Sequence, residues 1–155
     1  MLNKKLNELK LAYEQLQSVE QILLQLCSII YENTNKSNLY RCFKQIVKQL
    51  LPDLYIKNRT YINLYIENLQ AKNLLQYDNT CNELFLESAS KIAMEQKNFS
   101  LMAEVVRNVY PLEKKRHYGY SDPIGRLRKI REMRIGIYTY DQDLTKKMFT
   151  SLKKD

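Results

Sequence analysis

Leu2, Leu6, Leu9, Tyr13, Leu16, Leu23, Cys27 and Ile30 fall at alternating spacings of four and three. That is the seam of a heptad helix, interrupted only by Glu20. Such a stripe must be buried, either against the chain's own helices or against a partner helix. Leu2, Leu6, Leu9, Tyr13, Leu16 and Leu23 are therefore candidate partner-binding residues. The polar run ENTNKS at 32–37 breaks the pattern, and Ser37 or Asn38 is a suitable cap for the next helix.

That second helix places Leu39, Cys42 or Phe43, Ile46, Val47, Leu50 and Leu51 on one face, and Pro52 stops it. A third helix, beginning at Asp53 or Asn58 and running to Asn73, carries Ile62, Tyr65, Ile66 and Leu69 at helical spacing, with Tyr61 and Leu64 on a neighbouring stripe. Apolar residues on more than one face predict a central position for it. Thr80-Cys-Asn-Glu83 has the form of a capping box and predicts a fourth helix reaching about Gln96. Phe99, Met102, Ala103, Val106 and Val109 define a fifth helical face, which Pro111 ends.

Asp122-Pro123 starts a sixth helix, with aspartate as the cap and proline in the first turn. IGIYTY at 135–140 alternates too briefly to define an element and reads as a short strand or extended tail, followed by a last short helix from Asp143 to Leu152. The pattern predicts an all-α protein: one helical domain of about five or six helices. A long amphipathic helix occupies 1–31, a helical core 37–110, and a basic extension 111–155.

Composition agrees with a folded chain. Its 155 residues are 45% hydrophobic and 27% charged, with three glycines and three prolines, so a packed core is expected rather than disorder. No apolar run approaches the roughly 18 to 20 residues needed to cross a bilayer. No membrane partner is expected. MLNKKLNELK lacks the apolar stretch and cleavage site of a secretory signal. Residues 1–30 contain no Arg and carry Glu8, Glu14 and Glu20, unlike an amphipathic mitochondrial presequence.

Cys27, Cys42 and Cys81 lack metal-ligand spacing and read as buried reduced thiols, which suits a reducing compartment. The single histidine, His117, has no nucleophile partner in KKRHYGY. Asp141 and Asp143 look like helix-start residues rather than a metal pair. No phosphate loop, zincin motif or nucleophile elbow is present. An enzyme, a cofactor and a small-molecule substrate are not expected.

Charge changes the picture more. Between Leu112 and Arg134, eight cations face three acids, a surplus of five out of the chain's net +8. Lys114, Lys115, Arg116, Arg126, Arg128, Lys129, Arg131 and Arg134 are candidate nucleic-acid contacts, because neutralising phosphates needs several cations near one backbone. Tyr118, Tyr120 and Tyr138 offer ring faces. The competing reading is a solvated helix face with ion pairs to a partner protein.

Two resemblances bear on function. Leu39-Tyr40-Arg41 resembles the motif of the mitochondrial Leu-Tyr-Arg family, which implies an assembly factor or respiratory-complex subunit that binds acyl carrier protein. That family's next helix carries a Phe beside basic residues, where this chain has Leu69 and Gln70. A longer resemblance spans residues 20 to 122: Cys27-Ser-Ile-Ile-Tyr31, Phe43 to Leu51 before Pro52, Arg59, Leu64-Tyr65, Asn98-Phe99-Ser100, Ala103 to Arg107, and Leu112 to Tyr120. Their order is similar to the helical region of subunit 1 of the snRNA-activating protein complex. It implies a nuclear, non-enzymatic scaffold subunit in a hetero-oligomer that binds small nuclear RNA gene promoters, with DNA reached through the complex. A coiled-coil adaptor and the mitochondrial family are the alternatives.

Overall fold

The computed structural model describes residues 1–112 and 123–154. Among them the chain is all-helical, with eight helices: α1 (Leu2–Glu14), α2 (Ser18–Ile30), α3 (Lys36–Leu50), α4 (Thr60–Ala71), α5 (Leu86–Glu95), α6 (Phe99–Val109), α7 (Pro123–Tyr138) and α8 (Gln142–Lys153). None of these is long and apolar enough to cross a membrane.

The heptad stripe belongs to two helices, not one. The chain turns at Gln15–Gln17, and Glu20, which had looked like a blemish, makes the turn. Its Oε1 accepts the Gln17 amide at 3.3 Å, satisfying a donor that the start of α2 would leave free. Its other oxygen accepts from the Asn68 side chain on α4. One carboxylate thus caps α2 and ties it to a neighbour.

α2 is the centre of the fold. Val19, Ile22, Leu23, Leu24, Leu26, Cys27, Ile29 and Ile30 are all buried, because SVEQILLQLCSII is apolar around its whole circumference and needs neighbours on every side. α3, α4, α5, α6 and α7 supply them. The centrality expected of the third predicted helix, here α4, therefore belongs to α2. α4 buries only Ile62, Ile66 and Leu69, and leaves Tyr61 and Leu64 exposed.

Other local readings shift for identifiable reasons. Asn35, rather than Ser37 or Asn38, caps α3, its side-chain oxygen accepting the Asn38 amide at 2.8 Å. α3 buries both Cys42 and Phe43, with Leu39, Ile46 and Val47, and stops before Pro52 as expected. Thr80–Glu83 does not open a helix. Asp78 captures the Thr80 amide at 3.0 Å, and Leu75 bridges to Cys81, so α5 waits until Leu86. IGIYTY is not a strand: its first four residues finish α7 and the last two make the turn into α8. Asp141 caps α8, accepting the Leu144 amide at 3.0 Å.

Candidate functional site

Among the described residues of the basic extension, α7 packs against the body. Arg128, Arg131 and Arg134 are three residues apart on α7, so they succeed one another along one side of the helix. That side faces inward. Arg128 grips Glu32 with two nitrogens, Nε at 3.0 Å and Nη2 at 3.2 Å, and gives Nη1 to the Pro111 carbonyl at 2.8 Å. This two-pronged geometry is the strong form of the arginine–carboxylate pair.

Arg131 is only 1% exposed. Its Nη1 donates to the Tyr110 carbonyl at 2.7 Å, and its Nε lies 3.4 Å from Glu132. Glu132 also receives Arg107 at 2.7 Å, so one carboxylate serves two guanidinium groups. Burial lowers the pKa of Arg131, and the carboxylates of Glu132 and Glu32 pull it back up. Beneath this cluster the Tyr110 phenol pairs with the Thr34 hydroxyl, and burial raises its pKa.

Arg134 completes the row. It donates to the Ser28 carbonyl at 2.9 Å and to Glu87 at 3.0 Å, and its guanidinium lies 4.8 Å from the centre of the Tyr31 ring. Tyr138 also reaches Glu87. Arg128, Arg131 and Arg134, read from the sequence as candidate phosphate contacts, are thus paired within the chain, where they seat α7 against the body. Arg126 is exposed and Lys129 half-buried. Lys114, Lys115, Arg116, His117, Tyr118, Tyr120 and Asp122 lie outside the described residues.

The candidate partner-binding stripe also turns largely inward. Leu9, Tyr13, Leu16 and Leu23 are buried in the chain's own core, and Leu6 packs partly against it. Tyr13 sits 5.3 Å from the Phe85 ring, and its hydroxyl accepts from the fully buried Gln25 at 2.7 Å. Only Leu2 of that set is exposed. Other apolar residues face water: Leu11 on α1, Tyr55 and then Tyr61 and Leu64 around α4, Tyr77 and Leu84 before α5, Leu112, Ile124 at the start of α7, and Ile137, Tyr140 and Phe149 on the α7–α8 hairpin. Tyr61 and Leu64 had a visible signal, since they sit off the main stripe of their helix.

In the Leu39-Tyr40-Arg41 triplet, Leu39 is core, Tyr40 is half-buried and Arg41 is exposed. The three cysteines are free and buried. Burial pushes the Cys42 and Cys81 thiols up to about 12, and Cys27 also well above its ordinary value, so all three are held as neutral thiols. Chemically, the arrangement is a helical body with an ionically seated hairpin and outward-facing apolar residues. Comparison with known protein families, curated proteins and solved structures finds no match.

Proposed function

We propose that the chain is a non-enzymatic helical scaffold subunit that works by binding other proteins. The observation that carries this reading is the surface around α4, where Tyr61 and Leu64 are 41% and 63% exposed on one side of the helix and Tyr55, just before it, is 79% exposed. Spacing of i and i+3 aligns the first two, and aromatic side chains are preferred anchors of protein interfaces. The resemblance to subunit 1 of the snRNA-activating protein complex supplies the context: a nuclear, promoter-binding hetero-oligomer. With Arg128, Arg131 and Arg134 engaged internally, DNA contact in that complex is assigned chiefly to the partner subunits.

The test is affinity purification of the tagged chain from native extract, with imaging of its location. Promoter-binding subunits should co-purify with a nuclear chain, and Tyr61→Lys with Leu64→Lys should release them without lowering the unfolding temperature, since both residues are exposed. Recovery of acyl carrier protein from mitochondria would overturn this reading in favour of the Leu-Tyr-Arg family, with the exposed Arg41 as the contact. A stable homodimer abolished by Leu11→Lys would favour the coiled-coil adaptor. Leu11 is the informative position on α1 because Leu9 is buried.

A further inference from the structure

α8 packs against α7. The two helices close tightly at Gly136, where an added Cβ would lie 2.5 Å from Thr145 Oγ1 and 3.1 Å from the Asp141 carbonyl oxygen. Beside this contact is an open depression of about 260 Å³ lined by Gly136, Ile137, Tyr140, Gln142, Thr145 and Lys146. Ile137 is 56% exposed and Tyr140 89%. The same side of α8 continues through Phe149 to Lys153, at helical spacings of three and four. Phe149 is 51% exposed, with the Lys153 ammonium 4.6 Å from its ring centre.

The charge around this apolar line is mostly positive, with Asp141, whose side chain caps α8, and Asp143 set against four lysines. Lys146, Lys147, Lys153 and Lys154 are all exposed, and Asp143 is the single acid within α8. Among the described residues, Lys146 and Lys147 make no ion pair. A second copy of the chain would bring the same lysines against these, on a molecule already at net +8. A nucleic-acid backbone would satisfy the lysines but leave Ile137, Phe149 and the depression against water. An amphipathic helix with an acidic polar face satisfies both parts.

We propose that the α7–α8 hairpin is a docking surface for an acidic amphipathic helix of a partner protein. An apolar side chain of that helix enters the depression at Ile137 and Thr145, further apolar residues cover Phe149, and flanking carboxylates meet Lys146 and Lys153. The inference goes beyond the scaffold reading, because it adds a second surface and states the chemistry of its occupant.

The test places the photo-reactive amino acid p-benzoylphenylalanine at position 149 of the full chain in its native complex, with position 61 substituted in parallel. After irradiation, the cross-linked peptides are sequenced. The 149 adduct should be a partner segment with helical apolar periodicity and an excess of Asp and Glu. Lys146→Glu with Lys153→Glu should cut its yield by about tenfold, roughly the loss of two exposed ion pairs, and the loss should shrink at high salt. Both lysines are exposed, so the unfolding temperature should fall only slightly, by the helix-end charge and ring contact that Lys153 gives up. A 149 adduct with a second copy, with nucleic acid or with a basic segment overturns the proposal. Adducts at 61 but none at 149 overturn it and spare the scaffold reading, whereas silence at both positions removes both.

Discussion

Glu132→Gln is the sharpest probe of how α7 is held. It removes one charge while keeping nearly the same shape and one acceptor oxygen. The Glu132 side chain is 10% exposed and sits between Arg107 at 2.7 Å and Arg131 at 3.4 Å. Without it, Arg107, at 41% side-chain exposure, returns to water, but Arg131 at 1% does not. An uncompensated buried charge costs about 3–5 kcal/mol, and with Glu32 still in its field the lower end, about 3 kcal/mol, is expected. Glu87→Gln makes the same chemical change at a side chain 58% exposed, paired with Arg134 at 3.0 Å. Arg134 is 11% exposed but keeps the Ser28 carbonyl and the Tyr31 ring, so there the cost should be about 1 kcal/mol. With a urea slope of about 2 kcal/mol per molar, the midpoints should fall by about 1.5 M and by at most about 0.5 M respectively. Urea unfolding monitored by far-ultraviolet circular dichroism at neutral pH reads both. Equal shifts, or a Glu132→Gln midpoint within about 0.5 M of the parent, would refute the buried-cluster reasoning. Removing both charges, with Arg131→Met and Glu132→Met, should cost less than Glu132→Gln alone, because no buried ion is then left unpaired.

Burial and close packing lead to two further outcomes. Cys42 and Cys81 titrate at about 12 when folded, and burial, then the Glu87 carboxylate, lifts Tyr138 to about 12 as well. The folded chain therefore holds these protons more tightly than the unfolded one, so stability is intact below about pH 9 and is lost as pH rises toward 12. Thermal unfolding from pH 8 upward should show that decline, iodoacetamide should label the cysteines only after unfolding, and a flat profile with fast native labelling would contradict both. Gly136→Ala should lower the unfolding temperature: overpacking against Thr145 costs about 1–3 kcal/mol and outweighs the gain of up to about 1 kcal/mol in helix propensity. A raised temperature in calorimetry would show that the α7–α8 contact is looser than the structure has it.

How much of this was legible in the chain depended on what each residue's partner was. Phe99, Met102, Ala103 and Val106 announced α6, and the face of α3 with its Pro52 stop was equally plain, because burial on one side prints a local period. The break between α1 and α2 was hidden. It contains neither Gly nor Pro, it uses Gln17 at a capping position where Ser, Thr, Asp or Asn would be noticed, and the three–four spacing runs straight through it. The arginines of α7 were misleading for a deeper reason. Their partners Glu32, Glu87 and Arg107's shared Glu132 are set by tertiary docking, and a cation looks the same in sequence whether it faces phosphate or a buried carboxylate. Ile135 and Tyr138, packed among those arginines on the same helix, are the trace of an inward face that charge alone obscured. The same ambiguity governs the apolar positions. Leu9 and Leu11, or Ile66 and Leu64, differ little in type, yet one of each pair is core and the other meets water. Periodicity says that a stripe must be covered; only the fold says which stripes are already covered. Those left over include the ones around α4 and along α7–α8, where the proposed partners would act.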